Sequence, residues 1–111
     1  VSGSHYPEGI NPQAIGHRSL AVNLSDIAAM GATPVWANLI FSVPVITKEW
    51  VDKFILGFSS LANEYNIALI GVIQFVAQNF LQSLYKGSLL ITNTYQGQVL
   101  SWEILFMFPD A

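Results

Sequence analysis

Apolar residues recur at helical spacing in two long stretches, and between and after them come short runs of β-branched and aromatic residues. From residue 13 to residue 30 the apolar positions include Leu20, Leu24 and Ile27 on one stripe, which predicts a helix. Asn11-Pro12 is a good start for it, with Asn as the cap and Pro at the first helical position. Gly31 is placed to end it in a left-handed conformation, and Pro34 blocks its resumption. A second helix begins at Thr47 and ends at Asn66. Its positions Val51, Phe54, Ile55, Phe58, Leu61, Ala62 and Tyr65 follow the i, i+3, i+4, i+7 pattern of an amphipathic helix packed on a sheet.

The strand-like runs fall around these helices. Residues 1–6 read as a short strand stopped by Pro7, with a loop over residues 7–10. Residues 35–43, closed by Pro44, read as a strand buried on both faces, because alternation there is weak. Residues 67–70 form a short strand expected to stop at Gly71. Beyond it the signals conflict. Gln74, Gln78, Gln82 and Lys86 recur every four residues beside Ile73, Val76, Phe80 and Leu84, predicting a third helix over residues 72–86, although Val72, Ile73, Phe75 and Val76 are good strand formers. Residues 89–100 are strand-like with Gly97 as a turn or bulge, and residues 101–111 are too apolar for a free tail. The order β-α-β-α-β indicates one α+β or α/β layer domain.

Composition narrows what such a domain does. Apolar residues make up 52% of the 111 and charged residues only 10%, against roughly 25% charged in ordinary soluble domains, so part of the apolar surface is expected to meet a partner. Length argues against a membrane span: the longest runs without a strongly polar residue, 39–46 and 67–73, fall far short of the roughly 18–20 residues a bilayer needs. Four basic residues (Arg18, Lys48, Lys53, Lys86) and a net charge of −3 argue against nucleic-acid binding. With no cysteine there are no disulfides, zinc-thiolate sites or thiol nucleophiles, and the chain is compatible with the cytoplasm. Its first residues form neither a basic nor an apolar signal-peptide region, and their lack of an initiator Met is expected of a chain that begins in mid-domain.

One residue stands out chemically. Asp26 lies near the end of an otherwise almost wholly apolar helix, with Val22 and Met30 or Ala29 on its face. Burying a lone carboxylate there is costly, and the negative end of the helix dipole disfavours an anion further. Two readings satisfy it: a solvated Asp on an exposed edge, or an oxygen ligand for Mg²⁺ bridging to phosphates.

The surrounding words decide which family to compare. The run Ala21-Val22-Asn23-Leu24-Ser25-Asp26-Ile27-Ala28-Ala29-Met30-Gly31-Ala32 resembles the corresponding helix of thiamine-monophosphate kinases, of the superfamily shared with aminoimidazole ribonucleotide synthetase and selenophosphate synthetase. Val1-Ser2-Gly3-Ser4-His5-Tyr6 is similar to that family's Val-x-Gly-x-His-aromatic strand, Gly16-His17-Arg18-Ser19-Leu20 fits the helix start, and residues 50–71 resemble the second helix and following strand. The resemblance implies a mixed sheet with amphipathic helices packed on one face, and a barrel completed by dimerisation across a two-fold axis. It further implies ATP-dependent phosphorylation of thiamine monophosphate to thiamine diphosphate in the cytoplasm, with Asp26 as a Mg²⁺ ligand and His5 as a substrate contact. His17 has no implied role and reads as a surface helix residue.

The departures are as informative. The family continues after Gly71 with Gly-Asp-Thr, a turn for metal and nucleotide phosphate, whereas here Val72-Ile73-Gln74-Phe75 follows. The acidic segment that the resemblance places before Val1 and the family's C-terminal domain fall outside these 111 residues. A single carboxylate cannot organise a multi-metal phosphate site, so the chain alone is expected to be inactive. Back-translation offers a reason. Read from the third base of the Gly71 codon, residues 72–77 permit Gly-Asp-Thr-Val-Arg-Gly-Pro, residues 96–99 permit Arg-Ser-Gly-Ala, and residues 102–109 permit Gly-Asp-Leu-Ile-Tyr-Val-Ser-Gly. Residues 1–71 are thus family-like, and residues 72–111 read as a segment displaced by one nucleotide that is not expected to reproduce the family's structure. The alternatives are a genuine divergent insertion, a non-catalytic remnant whose role is association, and another ATP-dependent synthetase of the superfamily.

Overall fold

A computed structural model of the chain describes residues 11–41, 47–74, 88–95 and 100–109. The expected strand at residues 1–6, the loop after it, the turn at Gly97 and all of the expected third helix beyond Gln74 lie outside the described residues.

Helix α1 (Pro12–Ala29) starts as its sequence predicts: the Asn11 side chain accepts hydrogen bonds from the Gln13 and Ala14 amides, at 3.0 and 3.4 Å. It ends at Gly31, whose φ of 77° is the left-handed conformation expected there. Strand β1 (Trp36–Phe41) follows, buried on both faces over Leu39, Ile40 and Phe41. Helix α2 (Lys48–Glu64) is capped by Thr47 Oγ1, which accepts from the Trp50 amide at 3.1 Å. Asn66, at φ 60°, turns the chain out of it.

Strand β2 (Ala68–Gln74) does not stop at Gly71, and residues 72–74 are strand rather than helix. The β1–β2 register pairs Ala37 with Leu69 but Asn38 with Gly71, so Ile70 bulges out. A Cβ at Gly71 would lie 2.6 Å from Asn38 Oδ1. Glycine is there for close approach rather than as a stop signal. The strand-like stretch expected over 89–100 supplies β3 (Ser88–Tyr95) and the first residue of β4 (Leu100–Met107), which pair antiparallel. The apolar segment near residue 105 is therefore a strand, and a central one. The sheet order is β2-β1-β4-β3, with β1 parallel to β2 and antiparallel to β4.

Both helices pack on one face of this mixed sheet, as expected. The core joins Leu20 and Ile27 of α1, Trp50, Phe54, Phe58 and Leu61 of α2, Leu39 and Phe41 of β1, and Trp102, Ile104 and Phe106 of β4. Phe54 lies at its centre, with ring centroids 5.0 Å from Phe41, 5.5 Å from Trp50 and 5.3 Å from Trp102. The opposite sheet face carries Ile40 and Leu105, also buried, with Leu90 against them and Glu103 buried nearby.

Helices α1 and α2 meet at two glycines. A Cβ at Gly16 would run into the Phe54 carbonyl, and one at Gly57 into that of Gln13. Each helix backbone thus rests directly on the other, which no larger side chain would allow.

Candidate functional site

The face of α1 turned inward is not purely apolar. Its buried residues are Gly16, Ser19, Leu20, Asn23 and Ile27, so a hydroxyl and an amide enter the core beside two aliphatic side chains. Such groups are costly to bury unless hydrogen-bonded. Both are bonded. Trp102 Nε1 donates to Ser19 Oγ at 2.8 Å. Asn23 Nδ2 donates to the Ser19 carbonyl at 2.9 Å and to Asn93 Oδ1 at 3.0 Å. Asn93 Nδ2 in turn donates to the Ile91 carbonyl at 3.3 Å. Four side chains from α1, β3 and β4 thereby form one connected set. Sequence reasoning passed over them because Leu20, Leu24 and Ile27 sufficed to mark the inner stripe. The available signal was that Ser19 and Asn23, four residues apart, share it.

Asp26 lies about 60° round the helix from Asn23, and it is exposed. Its exposed neighbours are Val22 and Met30. The carboxylate therefore stands in solvent close to the last carbonyls of α1, where the helix dipole favours a cation and disfavours the carboxylate itself. This placement fits one coordination position of a Mg²⁺, a hard cation commonly held by one or two carboxylates with phosphates and waters completing the shell. Among the described residues no group of three or more His, Cys, Asp or Glu side chains converges on a metal position. His5 lies outside the described residues. His17 is exposed on α1, as expected.

Two basic side chains among the described residues are engaged with carboxylates. Lys48 pairs with Asp52 at 2.8 Å and Lys53 with Glu49 at 3.6 Å on the outer face of α2, which occupies two of the four basic residues. Among the described residues no helix is long and apolar enough to cross a membrane.

Comparison with known proteins fits this geometry. The family model described as "AIR synthase related protein, N-terminal domain" matches residues 1–85. The thiamine-monophosphate kinase of Buchnera aphidicola subsp. Acyrthosiphon pisum is 44% identical over 111 residues, covering 100% of this chain and 31% of the relative. That of Escherichia coli K12 is 41% identical over 71 residues, 64% of this chain and 22% of the relative. The chain thus spans less than a third of the length of these relatives. The crystal structure of the Stenotrophomonas maltophilia thiamine-monophosphate kinase aligns with a TM-score of 0.58 at 34% identity, covering 95% of this chain and 27% of that one. A structure of AaThiL complexed with AMPPCP and TMP aligns with a TM-score of 0.59 at 20% identity, a likeness of fold, over 95% of this chain and 28% of that one.

Within residues 72–111, the described strand β4 has the burial pattern of a central strand. Trp102, Ile104 and Phe106 alternate into the helix-covered core while Glu103 and Leu105 are buried on the other face, which is what a central strand requires. With its first 85 residues matched by the family model, the chain belongs to the AIR synthase related protein, N-terminal domain family.

Proposed function

We propose that the chain is the N-terminal part of a thiamine-monophosphate kinase, in which ATP phosphorylates thiamine monophosphate to thiamine diphosphate with Mg²⁺. Asp26 is read as a Mg²⁺ ligand and His5 as a contact to thiamine monophosphate. Phosphoryl transfer depends on positioning and charge neutralisation, so carboxylates around metal ions are its expected machinery. The observation that carries the reading is Asp26 itself: an exposed carboxylate at the carbonyl end of a helix whose inner face is seated in the core. The Buchnera and E. coli relatives, named thiamine-monophosphate kinases, support it. A cytoplasmic homodimer, with two sheets closing a barrel, belongs to the same proposal.

The chain alone is inactive on this reading. After Gly71, Val72 and the two residues beyond it continue a strand where an Asp-Thr turn would hold metal and phosphate. The test replaces the matching 71 residues of the E. coli relative with those of this chain and assays thiamine diphosphate formation. The folded hybrid is expected to turn over, and Asp26→Asn in it to lose at least roughly a hundredfold in kcat, as removal of a charge-stabilising group does. A folded Asp26→Asn hybrid with unchanged turnover sinks the metal role. Turnover by the isolated chain, with contaminating host kinase excluded, sinks the claim of inactivity.

A second reading, an association module without catalysis, is favoured by Trp36 and Ile70, large apolar side chains exposed near the β1–β2 edge. Stabilisation of the chain by ATP-Mg²⁺ in thermal unfolding separates the two, since a ligand of the native state alone must raise its melting temperature.

A further inference from the structure

Three places on α1 are fixed by contact with the rest of the molecule. Gly16 rests on the Phe54 carbonyl of α2 near the start of the helix. One turn on, Ser19 accepts from Trp102; another turn on, Asn23 donates to Asn93. Beyond that point only Ile27 is buried, and Asp26 emerges.

The apolar contacts resist separation of helix and sheet, but they are non-directional and tolerate small rotations. A turn of α1 about its axis by about 60° would carry Asp26 onto the face now held by Asn23, about 4.5 Å further along the helix. Hydrogen bonds are directional, and leaving buried donors unmade costs more than making them gains. Rotation of α1 would break the Trp102–Ser19 and Asn23–Asn93 bonds together. The amide directions are consistent along the whole set: Asn23 donates twice from one nitrogen, and Asn93 accepts with its oxygen while donating with its nitrogen.

We infer that Ser19, Asn23, Asn93 and Trp102 form a clasp that sets the rotation of α1 on the β3–β4 hairpin, and that Asn23 is a positioning residue holding Asp26 on the outer face. The second half of this inference rests on the metal reading of Asp26; the first does not. The clasp also spans the chain, since its two inter-element bonds join residues 83 and 70 positions apart. The hairpin beyond Gly71 is therefore required for the correct setting of a helix that precedes it.

The chain has no cysteine, so single sites take spin labels cleanly. Ser25→Cys on α1 and Thr92→Cys on β3 place labels at two exposed positions on either side of the clasp. Pulsed electron spin resonance on the doubly labelled chain is expected to give one narrow distance distribution. Adding Asn23→Ala should broaden or shift it well below the melting temperature, and Ser19→Ala should do the same while shifting Trp102 emission. Ile27→Val, which lowers stability without touching the clasp, should leave the distribution narrow. An unchanged distribution in both Asn23→Ala and Ser19→Ala overturns the clasp; if the first variant does not fold, the second decides.

Mn²⁺ titration of the unlabelled chain then tests positioning. Asn23→Ala is expected to weaken Mn²⁺ binding roughly tenfold, the low end for loss of a group supporting a metal ligand, and Asp26→Asn to abolish it. A broadened distance with unchanged Mn²⁺ affinity overturns the positioning role. If the parent chain binds no Mn²⁺, both the Asp26 reading and the positioning role built on it fall, while the distance measurement still decides the clasp.

Discussion

Replacing Gly16 by alanine tests how closely the two helices must approach. In an open helix the change would stabilise by about 1 kcal/mol, because glycine is a poor helix former. Here the new methyl meets the backbone of one residue of α2: the Phe54 carbonyl oxygen, its carbon at 3.0 Å and the Phe54 Cα at 3.2 Å. Backbone cannot rotate away as a side chain can, so α2 must retreat by about 1 Å, and a gap of that size forfeits a quarter to a half of each contact's attraction. The retreat would fall on Phe54, which is fully buried and packed against Phe41, Trp50 and Trp102. Overpacking costs about 1–3 kcal/mol, more where the neighbour is rigid. With the upper end applying, the net loss after the helix gain is about 2 kcal/mol. For a domain of this size that lowers the melting temperature by roughly 8 °C. Gly57→Ala should behave alike, since its Cβ would lie 2.8 Å from the Gln13 carbonyl carbon. The double variant should cost less than the sum, because one displacement relieves both clashes. Calorimetry or urea unfolding measures all three. If Gly16→Ala melts at or above the parent temperature, the helices do not touch as described and the reasoning fails.

Asp26→Asn removes an anion from the negative end of α1, so without metal it should stabilise the chain by about 0.5 kcal/mol. A measured loss of stability would mean that the carboxylate has a structural partner instead. The chain should self-associate at high micromolar concentration, given 52% apolar residues and only four cations; a clean monomer in sedimentation speaks against it. If the reading frame is displaced after Gly71, the coding sequence read one nucleotide out of step from codon 71 restores a Gly-Asp-Thr word. A single family-length frame through these residues would leave divergence as the explanation.

Local signals were enough wherever the determinant is local. Asn11 and Thr47 cap, Gly31 and Asn66 terminate, and the stripes of α1 and α2 point inward as their spacing predicts, except that Tyr65 is the exposed C-cap residue of α2. Asp26 was legible because a carboxylate is conspicuous in an apolar helix. What sequence spacing could not convey is who sits beside whom. Gly71 carries two possible meanings, a stop or a close approach, and only the neighbouring Asn38 side chain chooses between them. The central position of β4 is likewise a matter of pairing with β1, some 65 residues away in the chain, which no window around Trp102 contains. Ser19 and Asn23 looked like ordinary polar helix residues because their partners, Trp102 and Asn93, come so much later.

That strand order has a consequence for how the molecule is made. β1 leaves a growing chain early and can take β2 as a neighbour almost at once, but its other edge waits for β4, whose Met107 pairs with Trp36. Until then β1 presents an open row of backbone donors and acceptors flanked by Ile40 and Phe41, a template to which any passing strand can add. Long-range pairing of this kind is slow because a large loop must close before it is rewarded. The vulnerable interval is therefore the time between synthesis of β1 and arrival of β4. A nascent chain stalled before residue 100 is the form most exposed to chaperones, proteases and aggregation.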